Sequence, residues 1–274
     1  MLFLFTELKF LLEIAKQLTG LGVIDCILIA IVFVINSKTI IFAQNSYKMD
    51  GFLSNIPIRV NEHTYLKDPE SSELGKKIIS GSINLIDNIG FDDFTFRKLG
   101  KTINTTEASI YRYFENKHKL LLYLTDWYWR WMDYRFIFST MNIKDPEERL
   151  SRALKVVTEK IKQDGSFAHI NEVKLQKLIF EESSKAYFNK KVDKENKLGV
   201  YGSYKNLVEQ ISQIVLEIKP SFKYPHMLIS TVIEGAHHQR FFAEHLPGLT
   251  DQIEDGDAIS LFYKNLVYKA LTLA

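Results

Sequence analysis

Between Thr95 and Lys119 the basic residues Arg97, Lys98, Lys101, Arg112, Lys117 and Lys119 outnumber the acidic Glu107 and Glu115. The whole chain is nearly neutral, +2 over 274 residues, so this surplus is local. Within it, Tyr111-Arg112-Tyr113 sets three long, donor-bearing side chains in a row. Cations and phenols clustered in this way suit a surface that meets nucleic acid. The cations neutralise phosphates, and an arginine can pair bidentately with a guanine. Other chemistry finds little support. The single cysteine, Cys26, allows neither a disulfide framework nor a Cys-rich metal site. No nucleophile stands beside a base, and no phosphate-cradling glycine loop or metal motif is present, so neither enzymatic activity nor a cofactor is expected. Glu234, His237, His238 and His245 come nearest to a metal set, because Glu234 and His238 share a helical face and His245 follows two turns on. With no cysteine near them and no fourth ligand on the face of Glu234, His238 and His245, no metal is expected. A dimer-interface or pH-sensitive role fits these histidines better.

Short helices must present the basic cluster. Leu74, Ile78, Ser82, Leu85 and Ile89 recur at spacings of three and four after a cap at Ser71 or Ser72, with Glu73 at the positive end, and Gly90 is a stop. Thr95 caps a second helix with Phe96, Leu99 and Ile103 inward and Arg97, Lys98 and Lys101 outward. Gly100 removes a side chain where another helix crosses, and Asn104 suits a tight turn because Asn adopts the left-handed conformation readily. Thr106 caps a third helix, its hydroxyl aimed at the Ser109 N–H. Ala108, Ile110 and Phe114 face the other helices, while Glu107, Ser109, Arg112 and Tyr113 are too polar to be buried together. A helix, a short turn and a second short helix make a helix-turn-helix, whose second helix enters the major groove.

The run from Gly90 to Leu121, with Leu99-Gly100, Ile103-Asn104-Thr105-Thr106, Ala108-Ser109-Ile110-Tyr111-Arg112-Tyr113-Phe114, Asn116-Lys117 and a Leu-Leu pair, resembles the DNA-binding domain of the tetracycline-repressor (TetR) family of bacterial regulators. The resemblance spans Ser72 to Leu122 and implies roles for matching positions. Tyr111 and Lys117 correspond to phosphate contacts that set register. Thr95 corresponds to the cap of helix two. Arg97, Glu107, Ser109, Arg112 and Tyr113 correspond to contacts with bases or nearby phosphates, and Lys101 and Thr106 complete the expected DNA-binding set. Two departures are visible. Ile103-Asn104-Thr105 replaces the usual Ala-Gly-Val, which places the Thr105 hydroxyl in a buried spot, and Ala108 stands where Gly is frequent.

Beyond Leu120 the pattern predicts longer helices: about 117–138 with a broad aromatic face, then about 145–164, 167–190, 202–218, 225–245 and 256–273. The resemblance implies an all-α protein in which a three-helix DNA-binding domain, 71–118, precedes a helical ligand-binding and dimerisation domain, 119–274. It further implies a homodimer through about 225–246 and 258–273, double-stranded DNA with a palindromic operator as partner, and a small-molecule effector. Trp127, Trp131 and Tyr134 are the candidate effector-pocket residues.

Residues 1–48 differ from the rest. The apolar run 21–35 reaches spanning length only by including Asp25 or Lys38. Membrane anchor, packed hairpin and a segment foreign to the native protein, with Met49 as the start, are three readings; the last accounts best for the Ile/Leu/Phe/Lys/Asn bias. Residues 49–70, with two prolines and no period, read as a linker or arm. The expectation is a cytoplasmic, nucleoid-associated, ligand-responsive repressor. The alternative is a membrane-tethered signalling or scaffold protein using residues 21–43.

Overall fold

The computed structural model describes residues 58–163, 167–251 and 256–273, and no strand occurs among them. The readings placed on residues 1–48, the tether at 21–43 included, lie outside the described residues. Among the described residues no helix is long and apolar enough to cross a membrane.

The chain folds into α1 (Glu73–Asp93), α2 (Phe96–Thr102), α3 (Glu107–Tyr111), α4 (Lys117–Thr140), α5 (Pro146–Thr158), α6 (Glu172–Glu181), α7 (Ser183–Tyr187), α8 (Val192–Lys197), α9 (Gly202–Ile218), α10 (Pro225–His245) and α11 (Ala258–Leu273). Local chemistry explains where many of them begin. Ser72, Thr95, Thr106, Asn116, Asp145 and Asn171 each accept a backbone N–H two or three residues on, satisfying donors that the first turn leaves open.

α1 buries Ile78, Ile79, Ile83 and Ile86 and packs on α2 and α6. Its last turn is set off by Gly90, whose φ of 75° belongs to the region glycine enters without strain. α4 is the axis of the molecule. Every residue from Leu120 to Trp129 is buried, as expected of a helix surrounded on all sides. The 118/119 boundary expected between two domains falls in its first turn, so the helix-turn-helix and the remaining helices share one continuous element. α9 and α5 pack along α4, and α10 packs on α9 and α11.

Two helix bounds need correction, and one segment read two ways takes a definite form. The helix expected at 145–164 ends at Thr158, because Arg240 of α10 takes the Thr158 carbonyl through Nε at 2.9 Å and through Nη2. The helix expected at 167–190 is two helices, α6 and α7, split at Glu182 and stopped where the Asn189 amide donates to the Lys185 and Ala186 carbonyls. Residues 58–70, read as part of a linker or arm, take the second form, as a fitted strap. Ile58, Thr64 and Pro69 are buried, the Asn61 N–H donates to Asp126 Oδ2 at 2.7 Å, and the Leu66 N–H donates to the Tyr113 carbonyl at 2.7 Å.

Candidate nucleic-acid interface

α2 and α3 form a tight pair. Thr95 Oγ1 accepts the Lys98 N–H at 3.2 Å and Thr106 Oγ1 accepts the Ser109 N–H at 3.1 Å. Between them Asn104 adopts φ 56°, the left-handed residue of the turn. A Cβ on Gly100 would lie 2.8 Å from the Thr105 carbonyl oxygen, so α2 can meet the turn this closely only without a side chain there. Thr105 is half-buried and Ala108 is exposed, so the departures at those positions sit nearer solvent than expected and Ala108 does not face the other helices.

The expected site residues divide. Arg97, Lys101, Thr106, Tyr111 and Arg112 are exposed on one short pair of helices, and Thr95 is exposed at its cap position. The side chains of Arg97, Lys101 and Arg112 make no hydrogen bond or ion pair with another described residue, which leaves their charges available to an outside anion. Tyr111 is 47% exposed, yet its ring is braced edge-on by Phe96 at 5.0 Å. Bracing reduces the rotamer freedom that a contact would otherwise cost. Glu107 and Ser109 are half-buried, and the Ser109 hydroxyl pairs with Thr106 Oγ1 at 2.8 Å.

Two expected contacts face inward instead. Tyr113 is 4% exposed. Its hydroxyl meets Ser72 Oγ at 2.8 Å and Lys67 Nζ at 3.4 Å, and the Ser72 hydrogen bond, with Lys67 beside it, holds the phenol below its ordinary pKa. Tyr113 is therefore a hinge pin between α3 and the strap, not a surface donor. Lys117 was expected to hold a phosphate. Its ammonium instead donates to the carbonyls of Phe91 at 2.9 Å, Asp92 at 3.0 Å and Phe94 at 3.3 Å, and lies 4.9 Å from the Phe91 ring centre. All three of its protons have carbonyl partners, so it closes the last turn of α1.

Residues without any sequence signal tie this unit to the helices behind it. Asp126, buried in α4, accepts from Asn61 of the strap, from Arg130 Nε at 2.9 Å and from Ser203 Oγ at 2.5 Å. His118 in the first turn of α4 meets the buried Glu195 of α8 at 2.8 Å, and His169 meets Glu70 at 2.9 Å. Apart from the Asp126–Arg130 pair, each contact joins positions more than 60 residues apart in sequence, beyond the reach of any local pattern.

The aromatic residues expected to line an effector pocket pack elsewhere. Trp127 lies edge-on to Phe167 at 5.0 Å and stacks toward Trp131 at 6.3 Å, both tryptophans are buried, and Tyr134 packs on the same core. A cavity of about 530 Å³ lies between α6, α10, the start of α11 and the segment after α5, and none of the three lines it. The Glu234–His set does not converge either. Glu234 accepts the Tyr204 hydroxyl at 2.8 Å, His237 turns Nδ1 to the Ile233 carbonyl, and His245 packs by Phe241. No group of three or more metal-ligating residues occurs among the described residues.

Residues 78–124, from the first turns of α1 into α4, match the family model of bacterial regulatory proteins, tetR family. No curated protein matches the chain. Similar solved structures include the superantigen PfiT, at 18% identity with 76% of this chain and 98% of that one covered and a TM-score of 0.47. The ketosteroid transcriptional regulator KstR2 of Mycobacterium tuberculosis aligns at 10% identity over 80% of this chain and 97% of its own, with a TM-score of 0.46. The fatty acid degradation regulator FadR from Bacillus halodurans aligns at 18% over 72% and 92%, with a TM-score of 0.40. With its capped helix-turn-helix, the stretch 78–124 matches the DNA-binding domain of bacterial regulatory proteins of the tetR family.

Proposed function

We propose that this DNA-binding regulator is a cytoplasmic, nucleoid-associated homodimeric repressor that releases a palindromic operator when a small molecule binds among its C-terminal helices. The observation that carries the DNA half of this reading is the trio Arg97, Lys101 and Arg112, exposed and without internal ion-pair partners, around the braced Tyr111. In the reading, Arg112 and Arg97 reach base edges or adjacent phosphates, Tyr111 and Lys101 contact phosphates, and Glu107 and Ser109 line the approach.

The dimer reading is supported by α10 and α11. Met227 is 67% exposed on α10, and Leu261 and Phe262 are 52% and 58% exposed on α11, with Leu266 beside them. An apolar face of that kind fits an isologous contact between two copies. Two-fold symmetry would set the two α3 helices about one turn of DNA apart, which is why the operator should be a palindrome. Effector binding shifts the protein toward the state it prefers, and the half-site spacing no longer matches.

The test is fluorescence anisotropy of the full chain against duplex DNA from upstream of its own gene and a scrambled duplex, across a salt series. The expected result is tighter binding to the upstream duplex, with affinity falling steeply as salt rises. Equal binding to both duplexes would sink the operator reading. A salt-independent affinity would remove the phosphate contacts.

A further inference from the structure

The cavity between α6, α10 and α11 is lined by the charged Lys160, Lys177, Glu181, Arg240 and Glu244 and by one neutral polar ring, His237. Lys177 lies 3.9 Å from both Asp87 and Glu181, and Arg240 is held by Asp257 at 2.6 Å and by the Thr158 carbonyl. The Gln176 amide donates to the Tyr128 hydroxyl at 3.3 Å. Beside these and the charged Lys160 and Glu244, the lining is apolar surface from Val173, Phe180, Phe241 and Ile259, together with His237.

His237 is 5% exposed, stacked on Phe180 with ring centres 3.3 Å apart, and its Nδ1 lies 2.5 Å from the Ile233 carbonyl oxygen. A carbonyl can only accept, so Nδ1 carries the proton. Burial drives the pKa of the ring down to about 3, so the ring is neutral near pH 7. In a neutral imidazole protonated at Nδ1, Nε2 is a lone-pair acceptor. No described residue donates to it. Nε2 is thus the free acceptor of a ring in the cavity wall, and a ligand that displaces water there must donate to it or leave it unmatched.

From the cavity and this fixed tautomer we infer that the site takes an uncharged, largely aromatic or alicyclic molecule that donates one hydroxyl or N–H hydrogen bond to His237 Nε2. The inference rests on the effector reading above and narrows it to a ligand class. At His237 itself a carboxylate is disfavoured, because it could only accept and would set its charge against the Nε2 lone pair; the lining cations Lys177 and Arg240 already face Asp87, Glu181 and Asp257. The volume of about 530 Å³ suits a molecule of two or more rings.

The test is isothermal titration of the full chain, without DNA, using 1-naphthol, 1-methoxynaphthalene and 1-naphthoate. Methylation removes only the donor, and the carboxylate replaces it with an anion. We expect 1-naphthol to bind roughly tenfold more tightly than its methyl ether, the scale of one buried hydrogen bond with a penalty for the unmatched acceptor. His237→Phe, which keeps the stack on Phe180, should erase that difference. Equal binding of naphthol and ether, tightest binding of the naphthoate, or no binding of any probe would each overturn the assignment. The wild-type comparison decides the matter even if the variant does not fold. DNA release is read separately by anisotropy. Donor-dependent binding without release would leave this ligand class standing and remove ligand response from the function.

Discussion

Arg112 lies just past the last turn of α3, exposed and unpaired, while its neighbours Tyr111 and Tyr113 are braced and buried. Alanine at this position should weaken the upstream duplex by about 1–3 kcal/mol and flatten preference at one base pair, because a bidentate contact carries that much discrimination. Lys101→Ala should instead weaken every sequence alike and lower the salt slope by about 1. Anisotropy with duplexes altered one base pair at a time, repeated at several salt concentrations, separates the two. Loss of sequence preference in Lys101→Ala would reverse the assignment. His237 offers a residue-scale prediction of a different kind. Its folded pKa is depressed to about 3 by burial, with the Arg240 and His238 charges adding to the effect. A depressed base contributes nothing to pH dependence above its unfolded pKa near 6.5. Below that, the unfolded state takes up the proton first, so stability falls by about 1.4 kcal/mol per pH unit until the folded pKa is reached. Urea midpoints from pH 7 to pH 4 should therefore drop more steeply in the wild type than in His237→Phe.

At the scale of elements, the geometry of α2 and α3 depends on what their small residues leave out. Gly100→Ala would put a Cβ 2.8 Å from a backbone carbonyl that has no rotamer to escape into. The helices must then separate, at a cost of about 1–3 kcal/mol. Thermal unfolding should show the loss, and DNA affinity should fall with it because α3 is displaced. Lys117→Met tests the reassignment of that lysine. It keeps the stem over Phe91 and removes three charge-assisted bonds to the end of α1. We expect a stability loss of about 1.5–3 kcal/mol. A variant as stable as wild type that loses salt-dependent affinity would return Lys117 to the phosphate contacts.

For the whole molecule, the apolar faces of α10 and α11 and the strap over Tyr113 decide behaviour that no single helix carries. Phe262→Glu and Leu266→Glu each place a charge on exposed apolar surface. Sedimentation velocity should show monomers for either variant, with helical content unchanged by circular dichroism. Affinity for a two-half-site duplex should fall far more than affinity for one half-site. A dimer that survives both changes would move the interface elsewhere. The strap adds a route between the helices behind α4 and the DNA-facing pair, since Asp126 holds Asn61 while Tyr113 holds Ser72 and Leu66.

The sequence by itself determined the helix-turn-helix. Thr95 and Thr106 as caps, Asn104 as the turn and Gly100 as the close approach are all local chemistry, acting within about one helical turn, and each could be read where it stands. The long helices α9 and α10 were legible for the same reason, since an apolar period and flanking Pro or Gly define them. Only the tertiary structure decided that Lys117 turns back onto α1, that Tyr113 is a buried pin, that Trp127 and Trp131 are core, and that the cavity has His237 in its wall. It likewise decided that α5 stops at Thr158, because the group that takes its last carbonyl is Arg240, 82 residues away. A side chain's type states what it can bond. Which partner it finds depends on parts of the chain brought together by the fold, and spacing along the sequence carries no record of that.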